Sequence, residues 1–313
     1  MTGWTAGEKN LIADAVAHAP SVHNTQPWVL EFHDPRQVTL YERLDRTLPT
    51  HDPLGRDRLI SCGAALEHAL LTVRVLGWTA DLALYANPAR PDEIGRLTVT
   101  GRDEPSEVDL RRFGAIAGRR SHRKPFAAPP TDDERRTLLA AKGVDGVGLR
   151  PVRGRDELAV LAKLLHHTAL VLRADRAYQR ELSAWTAPVR DPLPGTGVSA
   201  ATRRVTTLPW AGLVRRTSAI PDTETLADRL RGELLLVVVT PDDGPHDHIR
   251  GGMAAAAVWL AATGAGLAGS ILTQPFHLSE VRSGLVESLS LHGFPQLLLR
   301  FGQRTDQREE SQR

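Results

Sequence analysis

Two stretches of this 313-residue chain open in the same way, and that repetition limits the fold more than any other feature. Thr5-Ala6-Gly7-Glu8 and Thr131-Asp132-Asp133-Glu134 each set a threonine three residues ahead of a glutamate, with a basic residue next. That spacing is a capping box: the hydroxyl accepts from the third helical N–H, and the carboxylate accepts from the threonine N–H. Helices are therefore expected to begin at Thr5 and at Thr131. A second pairing accompanies the first. Gly63-Ala64-Ala65-Leu66 opens an amphipathic stretch with Leu66, Leu70, Val73 and Leu76 near one face, closing at Gly77 before a strand at 80–86. Gly251-Gly252-Met253-Ala254 opens another, closing near Gly264 before an extended stretch at 270–272. This later helix is apolar nearly all round, the pattern of a helix buried on every side. An internal repeat places such a helix between two related halves.

The remaining strands suit the same scheme. Residues 28–32, 38–41, 233–240 and 296–301 are β-rich and bounded by turn residues. Leu234-Leu235-Leu236-Val237-Val238-Val239 lacks alternation, as a strand covered on both faces does. Helices then flank each sheet, giving an α+β or α/β class in two related layers. The first half is expected at 1–104 and the second at 105–313. The second is longer, and its excess is expected at about 184–221, rich in Pro, Gly, Ser and Thr. A segment of that kind is a lid-like loop or an unstructured connector.

Composition narrows the function. Thirty-nine Lys and Arg against 37 Asp and Glu leave a net charge of only +2, far from the one-sided basic field of a nucleic-acid binder. One cysteine, Cys62, allows neither an internal disulfide framework nor a cysteine metal cluster. It reads as a buried thiol in a reducing compartment. The first ten residues do not read as a secretory signal, and no apolar run approaches the ~18 residues of a membrane span. A cytoplasmic location without membrane contact is expected. His246-Asp247-His248 and His166-His167 fall short of a ligand set and read as solvated, so no metal is expected. Neither a G-x-S-x-G elbow nor a P-loop is present.

Three separated segments concentrate chemistry. Ala19-Pro20-Ser21-Val22-His23-Asn24-Thr25-Gln26-Pro27-Trp28 holds hydroxyl and amide groups between two prolines. It suits a flat heterocycle with mixed donor and acceptor edges and equally an ordinary capping loop. Arg119-Arg120-Ser121-His122-Arg123-Lys124-Pro125-Phe126 follows a helix stop at Gly118. It reads as a phosphate site or as a solvated basic turn. Gly264-Ala265-Gly266-Leu267-Ala268-Gly269 is a literal G-x-G-x-x-G, but it closes a helix and leads into a strand. A dinucleotide fold needs the reverse order. The glycines instead let the backbone approach a planar ligand closely.

Together, Ala-Pro-Ser-x-x-Asn-x-Gln-Pro-Trp, Arg-Arg-Ser-x-Arg-Lys-x-Phe and Gly-Leu-x-x-Ser-x-Leu-Thr-Gln-Pro resemble the nitroreductase family, and more narrowly its Acg-type branch, over nearly the whole chain. The resemblance implies an α+β fold of two tandem nitroreductase-like half-domains, antiparallel-rich sheets flanked by helices, fused as a pseudo-dimer. It implies FMN as cofactor, with Arg119 and Ser121 at the phosphate and Arg120 at the ribityl or phosphate end. Arg123 would lie near the flavin N1 and C2 carbonyl, where a cation stabilises negative charge. Ser21, Asn24 and Gln26 would contact ring edges, and backbone around Leu272, Thr273 and Gln274 would lie near N5. No side chain need be catalytic, because the flavin carries the chemistry. Family members usually add a further basic pair near the C-terminus; here Arg304 or Arg308 is the available residue. The implied activity is NAD(P)H-dependent reduction of a nitroaromatic or quinone-like acceptor. The alternative is an FMN-sequestering protein with a lid-occluded site. Each flavin-binding segment occurs once, with Gly143-Val144-Asp145-Gly146 where a second Pro-Ser-x-x-Asn would fall. One composite site is therefore expected, with a monomer sufficient to form it and further dimerisation left open.

Overall fold

The computed structural model describes residues 3–85, 87–186 and 214–304. Helix α1 (Ala6–Ala17) and helix α4 (Asp132–Ala140) both begin on complete capping boxes, at Thr5 with Glu8 and at Thr131 with Glu134. Between them lie β1 (Trp28–Asp34), β2 (Gln37–Glu42), α2 (Arg56–Val75), β3 (Trp78–Leu84), β4 (Glu93–Arg102) and α3 (Glu107–Ala115). After α4 come β5 (Gly148–Pro151), α5 (Gly154–Ala174), α6 (Arg176–Thr186), α7 (Thr223–Leu230), β6 (Leu234–Thr240), α8 (Pro245–Gly264), β7 (Ala268–Leu272), α9 (Ser279–Ser288) and β8 (Phe294–Gly302).

The two sheets repeat one plan. Strand order is β1-β2-β4-β3 in the first and β5-β6-β8-β7 in the second, all neighbours antiparallel. In each, a 20-residue helix follows the second strand: α2 in the first, α8 in the second. The two helices match residue for residue, Arg56 with Pro245 and Val75 with Gly264. The match runs on into the next turn, where Gly77 and Gly266 take the left-handed φ values of 76° and 81°. Such a residue past the last helical turn satisfies carbonyls that the helix leaves open.

α2 and α8 pack against each other at the centre. A Cβ on Gly63 would lie 2.1 Å from the Ile249 carbonyl oxygen, and one on Gly252 would lie 2.0 Å from that of Ile60. Each helix thus offers a glycine to the other's backbone at matching positions. The apolar run of α8 is explained by this placement: Ala254, Ala256, Ala257, Val258 and Leu260 are fully buried. The same contact corrects the expected start of α2. Gly63 does not open the helix; it lies two turns inside one that begins at Arg56.

Three main cores result. The first joins α1, α2 and the first sheet, with Ile12, Leu40, Leu66 and Ile94. The second fills the space between the second sheet and α5, α7 and α9, with Leu161, Leu230, Val237 and Phe276. The third lies between the second sheet and α4 and α8, with Leu138, Leu236, Val258 and Phe301. The excess of the second half starts earlier than expected. Where β1 and β2 are joined by a tight hairpin, β5 and β6 are separated by α5, α6 and α7. Most of the lid-like segment expected at 184–221, residues 187–213, lies outside the described residues. Arg308 lies outside them as well, and Arg304 is exposed. Among the described residues, no helix is long and apolar enough to cross a membrane.

Candidate functional site

The loop from α1 to β1 carries the first candidate segment, and its backbone is strained. His23, Asn24 and Gln26 all have positive φ, at 47°, 55° and 48°. Side chains rarely accept that conformation, and it persists where the surroundings over-determine it. Here Ser21 Oγ accepts from the Gln26 N–H at 3.0 Å, and Ser61 Oγ of α2 accepts from the Val22 N–H at 3.2 Å. Ser61 in turn donates to the Asp57 carbonyl at 2.6 Å. The loop is therefore bolted to the first turns of α2.

The basic segment arrives from the other side. It runs beside β7: Ser121 bridges to Gly269, and the His122 N–H donates to the Gly269 carbonyl at 2.8 Å. Further on, Phe126 packs its ring 5.0 Å from the Arg300 guanidinium. Arg300 is itself buried and ion-paired with Glu233.

These elements enclose a cavity of about 600 Å³, within the range of cofactor and small-molecule sites. Of the ten candidate residues, Ser21, Asn24, Gln26, Arg119, Arg120, Ser121, Arg123, Thr273 and Gln274 line it. Leu272 does not. Alternation along β7 turns Leu272 into the second core, and Ile271 and Thr273 face the cavity on either side of it. The sequence reading missed Asp57, Ser61 and Ala64 of α2 and Gly252 and Trp259 of α8, which also line the space. Their signal was the helix pair itself, since facing positions of two central helices form the floor of anything held between the halves.

The cavity is electropositive. Arg119 donates to the His18 carbonyl at 3.2 Å and lies over the Trp259 ring, 4.5 Å from its centroid. Its Nε is buried without a hydrogen-bond partner. Burial, with Arg120 nearby, pulls its pKa down to about 10. Arg120 is exposed and donates to the Ala117 and Arg119 carbonyls, both at 2.8 Å. Burial also lowers the pKa of Arg123. His23, buried beside His51, has its pKa pulled down to about 3 by burial and by that neighbour, so it is neutral at ordinary pH.

The carboxylate on the cavity wall, Asp57, is not opposed to these arginines. Its Oδ2 accepts from Thr273 Oγ1 at 2.5 Å and lies 3.2 Å from both His51 Nε2 and His277 Nε2. Burial alone would raise its pKa, but His277 and His51 outweigh burial and hold it well below the usual range.

The matching positions in the other half carry different side chains. Asp57 corresponds to His246, and Gln274 to Tyr85. Tyr85 packs its ring 4.9 Å from that of His246 and joins Val144 and Met253 in the first core. The reading of His246-Asp247-His248 as solvated is corrected in part: Asp247 and His248 are buried, and His248 Nδ1 is hydrogen-bonded to Gln296 Oε1 at 2.9 Å.

Comparison with known proteins places the chain. The Rv3131 protein of Mycobacterium tuberculosis, provisionally named an NAD(P)H nitroreductase, is 31% identical over 296 residues, covering 91% of this chain and 81% of its own length. The acg protein of the same organism, with the same provisional name, is 32% identical over 296 residues, covering 91% and 85%. The chain belongs to the Acg-type nitroreductase family. No family model matches this nitroreductase-family chain. Among solved structures, an FMN-bound nitroreductase from Bacteroides fragilis is 16% identical with a TM-score of 0.41, covering 64% of this chain and 89% of its own. The FMN-dependent nitroreductase NfnB from Mycobacterium smegmatis, solved with NADPH, gives 16% and 0.40, covering 64% and 90%. Both likenesses are remote, and membership of the family rests on the mycobacterial relatives.

Proposed function

We propose that this chain is an FMN-dependent oxidoreductase with one cofactor site, assembled between a first half at 1–104 and a second at 105–313. The observation that carries the reading is Arg119: a half-buried side chain whose Nε is buried without a partner, lining a cavity shared with Arg120, Ser121 and Arg123. Such a cation calls for an anion, and guanidinium forks suit the oxygens of a phosphate. Ser21, Asn24 and Gln26 line the same cavity and offer donors and acceptors suited to the edges of a flat ring. Ile60, Ala64, Trp259 and Ile271 give that ring apolar surface. The donor set and the cavity volume therefore fit FMN.

Bound there, FMN would supply hydride transfer at its N5. The protein's part would be to bind and orient it, with the arginines for the phosphate and the strained loop and the Thr273–Gln274 turn for the ring. The names of the relatives support NAD(P)H as donor and a nitro compound as acceptor, and a quinone-like acceptor is the other class this reading allows. Both binding segments lie in one chain, so a second copy is not needed for the site.

The test is the visible absorption spectrum of the purified protein, repeated anaerobically with NADPH. A flavin spectrum that bleaches promptly supports the enzyme. A flavin spectrum that persists supports cofactor storage in the same site. A colourless protein that fails to bind added FMN overturns the reading.

A further inference from the structure

Behind the cavity wall, three side chains from distant parts of the chain converge. His51 comes from the loop before α2, Asp57 from the first turn of α2, and His277 from the 3₁₀ turn Gln274–His277 after β7. One ligating atom from each lies within 4.8 Å of the others. His51 and Asp57 are almost wholly buried, and the His277 side chain is 16% exposed.

The distances are informative. A charge-assisted bond between an imidazole N–H and a carboxylate usually closes to 2.7–2.9 Å. Both imidazole nitrogens instead stop 3.2 Å from the same oxygen, Asp57 Oδ2. The contact from His277 Nε2 makes no aligned hydrogen bond. Donors 2.0–2.1 Å from a shared tetrahedral ion stand about 3.3 Å apart; each imidazole nitrogen stands 3.2 Å from Asp57 Oδ2, and the three donors lie within 4.8 Å of one another, close enough to gather round one ion with a small adjustment of the two rings. Polar atoms are also left without hydrogen bonds in this buried place: Asp57 Oδ1, His51 Nδ1 and Oδ1 of the neighbouring Asp52. Asp52 is close enough to repel the Asp57 charge. Two buried carboxylates side by side favour a divalent cation, and two imidazoles favour one of the transition series over calcium or magnesium. The surroundings hold the set in place. Thr273 donates to Asp57 Oδ2, and the Glu181 carboxylate of α6 accepts from the His51 N–H at 2.8 Å.

We propose that His51, Asp57 and His277 form a binding site for one divalent transition-metal ion of the zinc class, with Asp52 as an adjacent carboxylate. The ion ties the loop before α2 and the first turn of α2 to the turn that carries Thr273 and Gln274. It thereby fixes one wall of the cavity, whatever ligand fills it. The site stands independently of the flavin reading.

The test uses tag-free protein, carrying whatever cofactor it retains, stripped of metal by chelation and dialysis. Calorimetric titration with zinc chloride should show one equivalent bound at micromolar concentration or tighter, with a raised Tm. His277→Ala should weaken binding by at least ~100-fold, since loss of even an outer-shell partner commonly costs 10–100-fold. Absence of stoichiometric zinc binding overturns the proposal, and so does affinity unchanged in both His277→Ala and His51→Ala. Should circular dichroism show these variants unfolded, cobalt(II) added to the unaltered protein decides. A strong visible absorption that saturates at one equivalent supports a tetrahedral nitrogen–oxygen site, and its absence overturns it.

Discussion

The guanidinium of Arg119 rests on the indole of Trp259, 4.5 Å from the ring centroid, and pairs with no carboxylate among the described residues. One residue belongs to the turn after α3 and the other to the central helix α8, so the cavity's cation is held by the packing of the fold. Cation–π contact holds the charge in place without neutralising it, which leaves it available to an anion.

Arg119→Ala is therefore expected to weaken FMN binding about 10–100-fold, the cost of roughly 1.5–3 kcal/mol for a hydrogen bond to a charged group. Arg119→Lys keeps the charge but loses the fork, and should fall between. Titration of FMN into apo-protein, followed by flavin fluorescence, measures both. Equal affinity in all three proteins would remove Arg119 from the phosphate site.

The glycines of the central helix pair carry a prediction about the fold alone. A methyl group on Gly63 would meet the Ile249 carbonyl oxygen at 2.1 Å, and backbone cannot yield as a flexible side chain does. Gly63→Ala should cost about 1–3 kcal/mol through forced separation of α2 and α8, although alanine normally gains about 1 kcal/mol over glycine inside a helix. Gly251→Ala is the control, because its new methyl would meet side chains and no backbone, Gln296 at 3.4 Å and Val238 at 3.9 Å. A thermal melt should place Gly63→Ala several degrees below the parent and Gly251→Ala close to it. Equal midpoints would mean that the helices part at no cost.

These residues also show how far the sequence could be read. The capping boxes at Thr5 and Thr131 and the apolar run of α8 were legible because each is a local pattern with one physical meaning. The start of α2 was not. Arg56, Asp57 and Arg58 look like a solvated turn until the fold supplies their partners: the Phe276 carbonyl and Gln296 for Arg56, His51 and Thr273 for Asp57, and Glu42 for Arg58. With α2 begun too late, Asp57 and Ser61 were left out of the cavity. The cluster of His51, Asp57 and His277 was invisible for the same reason, since its members stand 6 and 220 residues apart and meet only when the halves pack. For α5, the amphipathic pattern was present, but no repeat partner in the first half drew attention to it.

Gln26 separates folding from binding. Its φ of 48° is strained for a side chain and ordinary for glycine. Gln26→Gly should leave Tm unchanged or slightly raised, because relief of strain offsets the larger entropy of the unfolded chain. FMN affinity should fall, because the amide facing the cavity is gone. If affinity and Tm both stay at the parent's values, Gln26 is a turn residue and not a ligand contact.

Two neighbours buried in α2 make opposite contributions to the pH dependence of stability. Burial is the main force on His68, pulling its pKa down to about 4. Its Nδ1 is hydrogen-bonded to the Ala15 carbonyl at 2.8 Å, which fits the neutral ring with a proton on Nδ1. Between about 4 and the unfolded value near 6.5, the unfolded chain holds one more proton than the folded one. Stability from this residue therefore rises with pH, by about 1.4 kcal/mol per unit, and is lost on acidification. Glu67 runs the other way. Burial raises its pKa to about 7, so from about 4.5 upward the folded state keeps a proton that the unfolded chain releases, and stability falls as pH rises. Over about pH 4.5–6.5 the two slopes cancel. Glu67→Gln should leave a stability that rises with pH by about 1.4 kcal/mol per unit more than the parent's, and His68→Asn, which retains a donor for the Ala15 carbonyl, should tilt it the other way, falling with pH by the same amount. Urea unfolding at about pH 5, 5.5 and 6 gives the slopes directly. Parallel lines for the parent and both variants would show that neither group changes its protonation on folding.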